Sequence, residues 1–172
     1  GLPNLVVSVN ISAVQFRKDD FVERIKTILN NEGAAACSLE LEVTESILMH
    51  DMESSIETLR YLRELGFRIA IDDFGTGFSS LNYLRRLPVN VLKIDQSFVR
   101  EMLVEQASLA IVESIISLAH ALGKETIAEG VETQNELIAL TERGCQLIQG
   151  YYFSRPLPPS LFLSWVGEHR EK

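Results

Sequence analysis

The chain has 172 residues, 46% hydrophobic and 23% charged, the balance of a soluble globular domain with a sizeable core. Its formal net charge of −8 excludes a general nucleic-acid binder, which would carry a basic stripe, so no DNA or RNA polymer is expected as a partner. A small anionic ligand is not excluded, because a bound metal neutralises charge locally. No apolar run reaches about 18 residues and no secretion signal is present. Cys37 and Cys145 lie far apart without metal-ligand spacing and read as reduced thiols, which points to the cytoplasm, with a membrane tether elsewhere in a parent protein left open.

Leu5–Ile11 is a short apolar run and predicts a buried strand. Phe21–Leu29 has helical apolar spacing and is ended by Asn30-Asn-Glu-Gly33. Leu39–Thr44 alternates strictly and predicts a second strand. Met52–Leu65 is an amphipathic helix with Ile56, Leu59, Leu62 and Leu65 on one face, stopped at Gly66. Phe67–Asp73 is the third strand. A turn through Gly75 and Gly77 leads into a short helix at Ser79-Ser80, which runs over Ser80–Leu87 and ends before Pro88. Val91–Asp95 is the fourth strand, Ala107–Leu122 the longest helix, Thr126–Val131 the fifth strand and Gln134–Arg143 a further helix. Leu147–Phe153 predicts a sixth strand and Ser160–Glu168 the last helix.

Strict strand–helix alternation without a linker predicts one domain of parallel strands covered by helices. An open doubly wound sheet and a (β/α)8 barrel both fit. No G-x-G-x-x-G follows the first strand, which weakens the dinucleotide-binding sheet. Barrel active sites gather at the carboxyl ends of the strands, and there every predicted strand carries a polar group. These are Asn10, then Glu42 with Thr44-Glu45, then Asp72-Asp73, then Lys93 and Asp95, then Glu129 and Glu132, and finally Gln149, Tyr151 and Arg155. Period-2 alternation puts Ser8 with Asn10, Glu40 with Glu42 and Thr44, Ala70 with Asp72, and Lys93 with Asp95 on common faces.

Two adjacent acids ending a buried strand are costly unless a positive charge sits beside them. Asp72-Asp73 therefore reads as a cation site or as an ordinary strand-to-helix turn closed by an Asx motif. The other strand ends favour the cation. Asn10, Glu42, Asp72, Asp73 and Glu129 supply oxygen ligands alone, which suits Mg²⁺ or Mn²⁺ better than Zn²⁺. Five ligands exceed what one Mg²⁺ usually takes, so two ions bridged by an Asp are expected, the clamp used for phosphoryl displacement. Lys93 would orient the attacking water or neutralise an oxygen. His50, His120 and His169 fall away from the strand ends and read as surface or structural residues. Tyr151, Tyr152 and Phe153 read as core aromatics, with stacking of Tyr151 on a base as the alternative. Arg155 either pairs with a phosphate or caps the strand end. Glu45 reads as a residue behind the ligands, holding the Gly75–Gly77 loop.

Val9-Asn-Ile-Ser12, Glu42-Val-Thr-Glu45, Asp72-Asp-Phe-Gly-Thr-Gly77, Leu92-Lys-Ile-Asp95, Ala128-Glu-Gly-Val-Glu132 and Gln149-Gly-Tyr-Tyr-Phe-Ser-Arg-Pro156 together resemble the EAL family of bacterial cyclic di-GMP phosphodiesterases, in family order along the whole chain. The resemblance implies a modified (β/α)8 TIM-like barrel that hydrolyses cyclic di-GMP to linear pGpG with Mg²⁺ or Mn²⁺. It implies Asn10, Glu42, Asp72, Asp73 and Glu129 as metal ligands and Lys93 as the residue positioning the catalytic water. Glu129, Glu132 and Gln149 are implied in catalysis, and Asp95, Gln149, Tyr151 and Arg155 in substrate binding. Glu45 resembles the anchor of the Asp73–Ser80 loop, which the family links to dimerisation and regulation. A homodimer and sensory or GGDEF-type domains in the parent protein are the implied partners.

The Glu-Ala-Leu motif that names the family is absent, and only about six β-α units are present where a barrel needs eight. Residues 1–172 are therefore expected to be a partial EAL domain that lacks one carboxylate ligand and is impaired by itself. The alternatives are a receptor that holds cyclic di-GMP without cutting it, and a metal-dependent barrel enzyme of an enolising class with Lys93 as base.

Overall fold

The structure is a computed structural model that describes residues 5–77 and 81–168. Its elements are β1 (Val7–Asn10), α1 (Ala13–Phe16), α2 (Phe21–Glu32), a 3₁₀ turn (Ala36–Ser38), β2 (Leu39–Thr44), α3 (Glu45–Met49) and α4 (Met52–Glu64). They continue with β3 (Arg68–Phe74), α5 (Leu81–Arg86), β4 (Val91–Ile94), α6 (Gln96–Glu101), α7 (Gln106–Ala121), β5 (Glu125–Ala128), α8 (Gln134–Glu142), β6 (Leu147–Ile148) and α9 (Pro159–Glu168). The six strands form one parallel sheet in the order of the chain, β1 to β6, curved into a half-barrel. Each crossover carries a helix, as parallel pairing demands. Among the described residues no helix is long and apolar enough to cross a membrane.

The strands read as predicted where side chains alternate between a helix-covered face and the barrel interior. Ile69, Ile71, Leu92 and Ile94 are almost wholly buried on the helix side. They belong to one core cluster with Leu59 and Leu62 of α4, Val112, Ile115 and Ile116 of α7 and Leu140 of α8. A fully buried aliphatic side chain of this size contributes roughly 1.5–3 kcal/mol, so this layer is the main stabilising term. Local signals start the helices. Ser12 and Gln15 form a capping box on α1, Thr133 and Glu136 form another on α8, and Asp51 accepts from Ser54 N at 3.2 Å to cap α4.

Four expectations are corrected. The first strand is not buried: Val7 is 58% and Val9 39% exposed, because among the described residues β1 pairs only with β2 and forms a sheet edge. The sixth strand stops at Ile148, since residues after Gly150 turn back. Tyr151, Tyr152 and Phe153 are consequently exposed surface aromatics and not core. Three short helices, α1, α3 and α6, stand where no periodicity marked them, because four to six residues cannot display a helical repeat. The predicted helix entry at Ser79-Ser80 lies outside the described residues, where His169 also falls; the helix itself is seen from Leu81. His50 and His120 are exposed, away from the strand ends.

Candidate active site

The half-barrel brings charged side chains of neighbouring strands into two interior layers. The lower layer is Glu40, Arg68 and Glu125. Arg68 Nε lies 3.2 Å from Glu40 Oε2 and Arg68 Nη2 lies 2.8 Å from Glu125 Oε2, while Ser8 Oγ donates to Glu40 Oε1 at 3.3 Å. Each of these residues sits two or four positions before a member of the upper layer, so the same alternation places both. Arg68 and Glu125 were missed as interior residues by sequence reasoning, although the period-2 signal that marks Asp72 and Glu129 extends back to them.

The upper layer is centred on Lys93 of β4. Its Nζ lies 2.8 Å from Glu42 Oε1 of β2, 2.8 Å from Asp72 Oδ1 of β3 and 2.8 Å from Glu129 Oε1 after β5. The Lys93 side chain is 3% exposed and that of Glu42 6%, so four charges share a largely dehydrated space. Burial pulls the Lys93 ammonium down, but its contacts with Asp72, Glu129 and Glu42 outweigh this and hold it above the usual lysine range. Burial pushes the Glu129 carboxyl up, against the opposing pull of Lys93. Asp72 Oδ1 is buried and meets the Lys93 ammonium at 2.8 Å.

Adjacent residues of a regular strand point to opposite faces, so Asp72 and Asp73 should diverge. The structure resolves this with a bulge. Ile71 pairs with Leu92 and Phe74 with Ile94, so Asp72 and Asp73 oppose Lys93 alone, and Asp73 takes φ 52. Aspartate tolerates this left-handed conformation better than most residues. Ligand oxygens of Asp72, Asp73 and Glu129 thereby come within 4.8 Å of one another. Burial and then the Asp72 charge push the Asp73 carboxyl up, and Asp95 adds to this. Asp95 caps α6, accepting from Ser97 N at 2.9 Å and from Ser97 Oγ. Burial opposes ionisation of Asp95, yet these bonds with Ser97, contact with Asp73 and the charge of Arg100 hold it below the usual range.

Asn10 ends β1 in register with Glu42. Glu45 opens α3, is 7% exposed, and lies against the loop, since a Cβ on Gly77 would come 2.7 Å from its Oε1. Beyond β5, Glu132 pairs with Arg100 of α6 at 3.0 Å. These two line a cavity of about 230 Å³ with Glu129, Gln149 and Tyr151. Gln149 lines this cavity beside Glu129 although β6 has already ended. Arg155 stacks on Tyr151, guanidinium 4.8 Å from the ring centroid. Arg100 was also missed from sequence; the helix that carries it is too short to leave a pattern.

Asp72, Asp73 and Glu129 bring carboxylate oxygens within reach of one point, one of them the buried Asp72 Oδ1, and such an all-oxygen group fits a hard divalent cation. The EAL domain family model matches residues 2–156. The cyclic di-GMP phosphodiesterase NbdA of Pseudomonas aeruginosa is 48% identical over 170 residues, which are 99% of this chain and 22% of that protein. Among solved structures, the PaMucR phosphodiesterase in complex with c-di-GMP superposes with a TM-score of 0.91 at 40% identity, covering 94% of this chain and 66% of that one. A manganese and cy-diGMP complex of Klebsiella pneumoniae BlrP1 superposes at 0.81 with 33% identity, covering 90% and 40%. The chain spans about a fifth of the length of the curated relatives it matches. With a match over most of its length and six parallel strands in the matching architecture, this chain belongs to the EAL domain family.

Proposed function

We propose that the protein carrying this chain hydrolyses cyclic di-GMP to linear pGpG with Mg²⁺ or Mn²⁺, two ions being held at the upper layer. The observation that carries the reading is the grip of Lys93 on Glu42, Asp72 and Glu129 at 2.8 Å each, beside the bulged Asp72-Asp73 pair. Relatives that are named as cyclic di-GMP phosphodiesterases, and a neighbour solved with manganese and cy-diGMP, support it.

In this reading Asn10, Glu42, Asp72, Asp73 and Glu129 hold the metal. When bound, the divalent cations lower the pKa of water and neutralise charge developing on the phosphoryl oxygens. Lys93 fixes the carboxylates relative to one another, its three N–H groups directed at Glu42, Asp72 and Glu129, and places positive charge beside the water or a phosphoryl oxygen. Water adds to one phosphorus, one P–O ester bond breaks, and the released oxygen takes a proton. Glu129, Glu132 and Gln149 support that centre from the β5 and β6 side. Asp95, Gln149, Tyr151 and Arg155 hold the dinucleotide, with Tyr151 offering an exposed face to a base and Arg155 a charge to a phosphate. Glu45 anchors the loop that follows Asp73, supported by its burial against Gly77. The location is cytoplasmic, in keeping with two free cysteines. A homodimer and sensory or GGDEF-type domains in the parent complete the reading; a GGDEF-type cyclase domain alone has support from the relative MucR, which is named as a bifunctional diguanylate cyclase and cyclic di-GMP phosphodiesterase.

Incubation with cyclic di-GMP and Mn²⁺ or Mg²⁺, followed by chromatography, tests this. Linear pGpG that disappears in the D72N variant is the expected result. Tight binding of cyclic di-GMP without turnover would move the protein to the receptor class, and absence of both would overturn the proposal.

A further inference from the structure

We infer that Arg100 is a positioning residue for Glu132, turning that carboxylate toward the phosphodiester; this rests on the function proposed above. Arg100 lies in the last turn of α6, and its Nη2 meets Glu132 Oε1 at 3.0 Å across the cavity shared with Glu129 and Gln149. Two devices set where α6 stands. Asp95 caps its start by accepting from Ser97 N. Gly130, at φ 69, packs so tightly on it that a Cβ there would lie 2.6 Å from Gln96 Cβ. The bend that separates Glu129 from Glu132 thus leans on the same helix that presents Arg100. The backbone of Glu132 is held separately, its N–H donating to Glu136 Oε2 at 2.8 Å. Among the described residues, Arg100 is the partner that steers the side chain.

Both partners are well exposed, 55% for the Arg100 side chain and 46% for Glu132. A solvent-exposed ion pair of this kind adds little to stability. Its effect is directional. Glu42, Asp72, Asp73, Asp95 and Glu129 would repel a sixth carboxylate, and the Arg100 guanidinium 3.0 Å from Glu132 offsets that repulsion and restricts the rotamer. The charge of Arg100 also reaches Asp95, so one cation serves carboxylates that follow two different strands. A lysine at this position would keep the charge and lose the planar fork.

The experiment compares the wild type with R100M, R100K, E132Q and the double variant R100M/E132Q. Mn²⁺-supported cyclic di-GMP affinity is read by calorimetry, hydrolysis by chromatography, and thermal stability alongside. R100M is expected to lower the hydrolysis rate about tenfold with an unchanged melting temperature, R100K to recover part of it, and R100M to have no further effect once Glu132 is Gln. Additive losses in the double variant, or R100M hydrolysing as the wild type does, would overturn the positioning role while leaving the phosphodiesterase reading intact. A wild type that neither binds nor cleaves cyclic di-GMP would overturn both.

Discussion

Removing the one cation of the upper layer should destabilise the fold, and the loss should be repaired by a divalent metal. In K93M the ammonium that meets Glu42, Asp72 and Glu129 at 2.8 Å is replaced by an apolar chain of similar length. Breaking a buried ion pair by deleting one partner costs about 3–5 kcal/mol, because the remaining charge is left uncompensated. Glu42 is nearly as buried as Lys93, but Asp72 and Glu129 keep 15% and 19% of their side-chain surface, so water relieves part of the repulsion. The lower end, about 3 kcal/mol, is the expected loss. For a domain of this size that corresponds to a melting temperature about 6–12 °C lower. Urea unfolding followed by circular dichroism, with a chelator and then with Mn²⁺, provides the assay. Mn²⁺ should stabilise K93M more than the wild type, since a cation among the carboxylates replaces the missing charge. A variant as stable as the wild type in chelator, or one that Mn²⁺ does not help preferentially, would refute the reasoning that Lys93 neutralises this layer.

Asp73 and Glu129 both have folded-state pKa values above their ordinary ones, burial being the first cause in each. A raised carboxyl binds its proton in the folded state before the unfolded chain does. These two groups therefore make the metal-free fold more stable as pH falls through the raised values toward the ordinary range, and the gain levels off below it. Protons compete with the cation over the same window, so Mn²⁺ affinity measured by calorimetry should begin to drop at a pH where unperturbed carboxylates would still be ionised. Gly150→Ala places a Cβ 2.1 Å from Val131 O and 2.4 Å from Val131 N. It should cost about 1–3 kcal/mol in urea unfolding and loosen Gln149 and Tyr151, seen as weaker ligand binding. Tyr151→Ala removes an exposed ring that carries no core packing, so stability should hold while cyclic di-GMP affinity falls by about 1–3 kcal/mol, read by calorimetry. Unchanged affinity there would remove Tyr151 from the binding surface.

Much of this protein is written in short-range pattern. Leu39–Thr44 alternates strictly and is found as β2 over the same residues, because each side chain meets either the helix layer or the interior. The same periodicity assigns Glu42, Asp72 and Lys93 to one interior, and the parallel order follows from a helix between every pair of strands. Asp51, Thr133 and Gly33 mark helix ends through backbone chemistry that needs no distant partner. Long-range geometry decided the rest. Nothing local shows that Asp72 and Asp73 face one centre, since that depends on a bulge against β4. Nothing local shows that Leu147–Phe153, rich in β-forming residues, breaks after two, since the break follows from the close approach of Gly150 to the Val131 backbone. The exposure of Val7 and Val9 reflects an edge position, a property of the assembled sheet and not of an apolar run. The pairing of Arg100 with Glu132 joins residues 32 apart through a six-residue helix that no periodicity announces. Sequence by itself determines which side chains belong to which face, because that is set by the two-residue repeat of the backbone. Which charges meet, at what distance and in what company, is decided by strand register and curvature, which exist only once the sheet has closed on its helices.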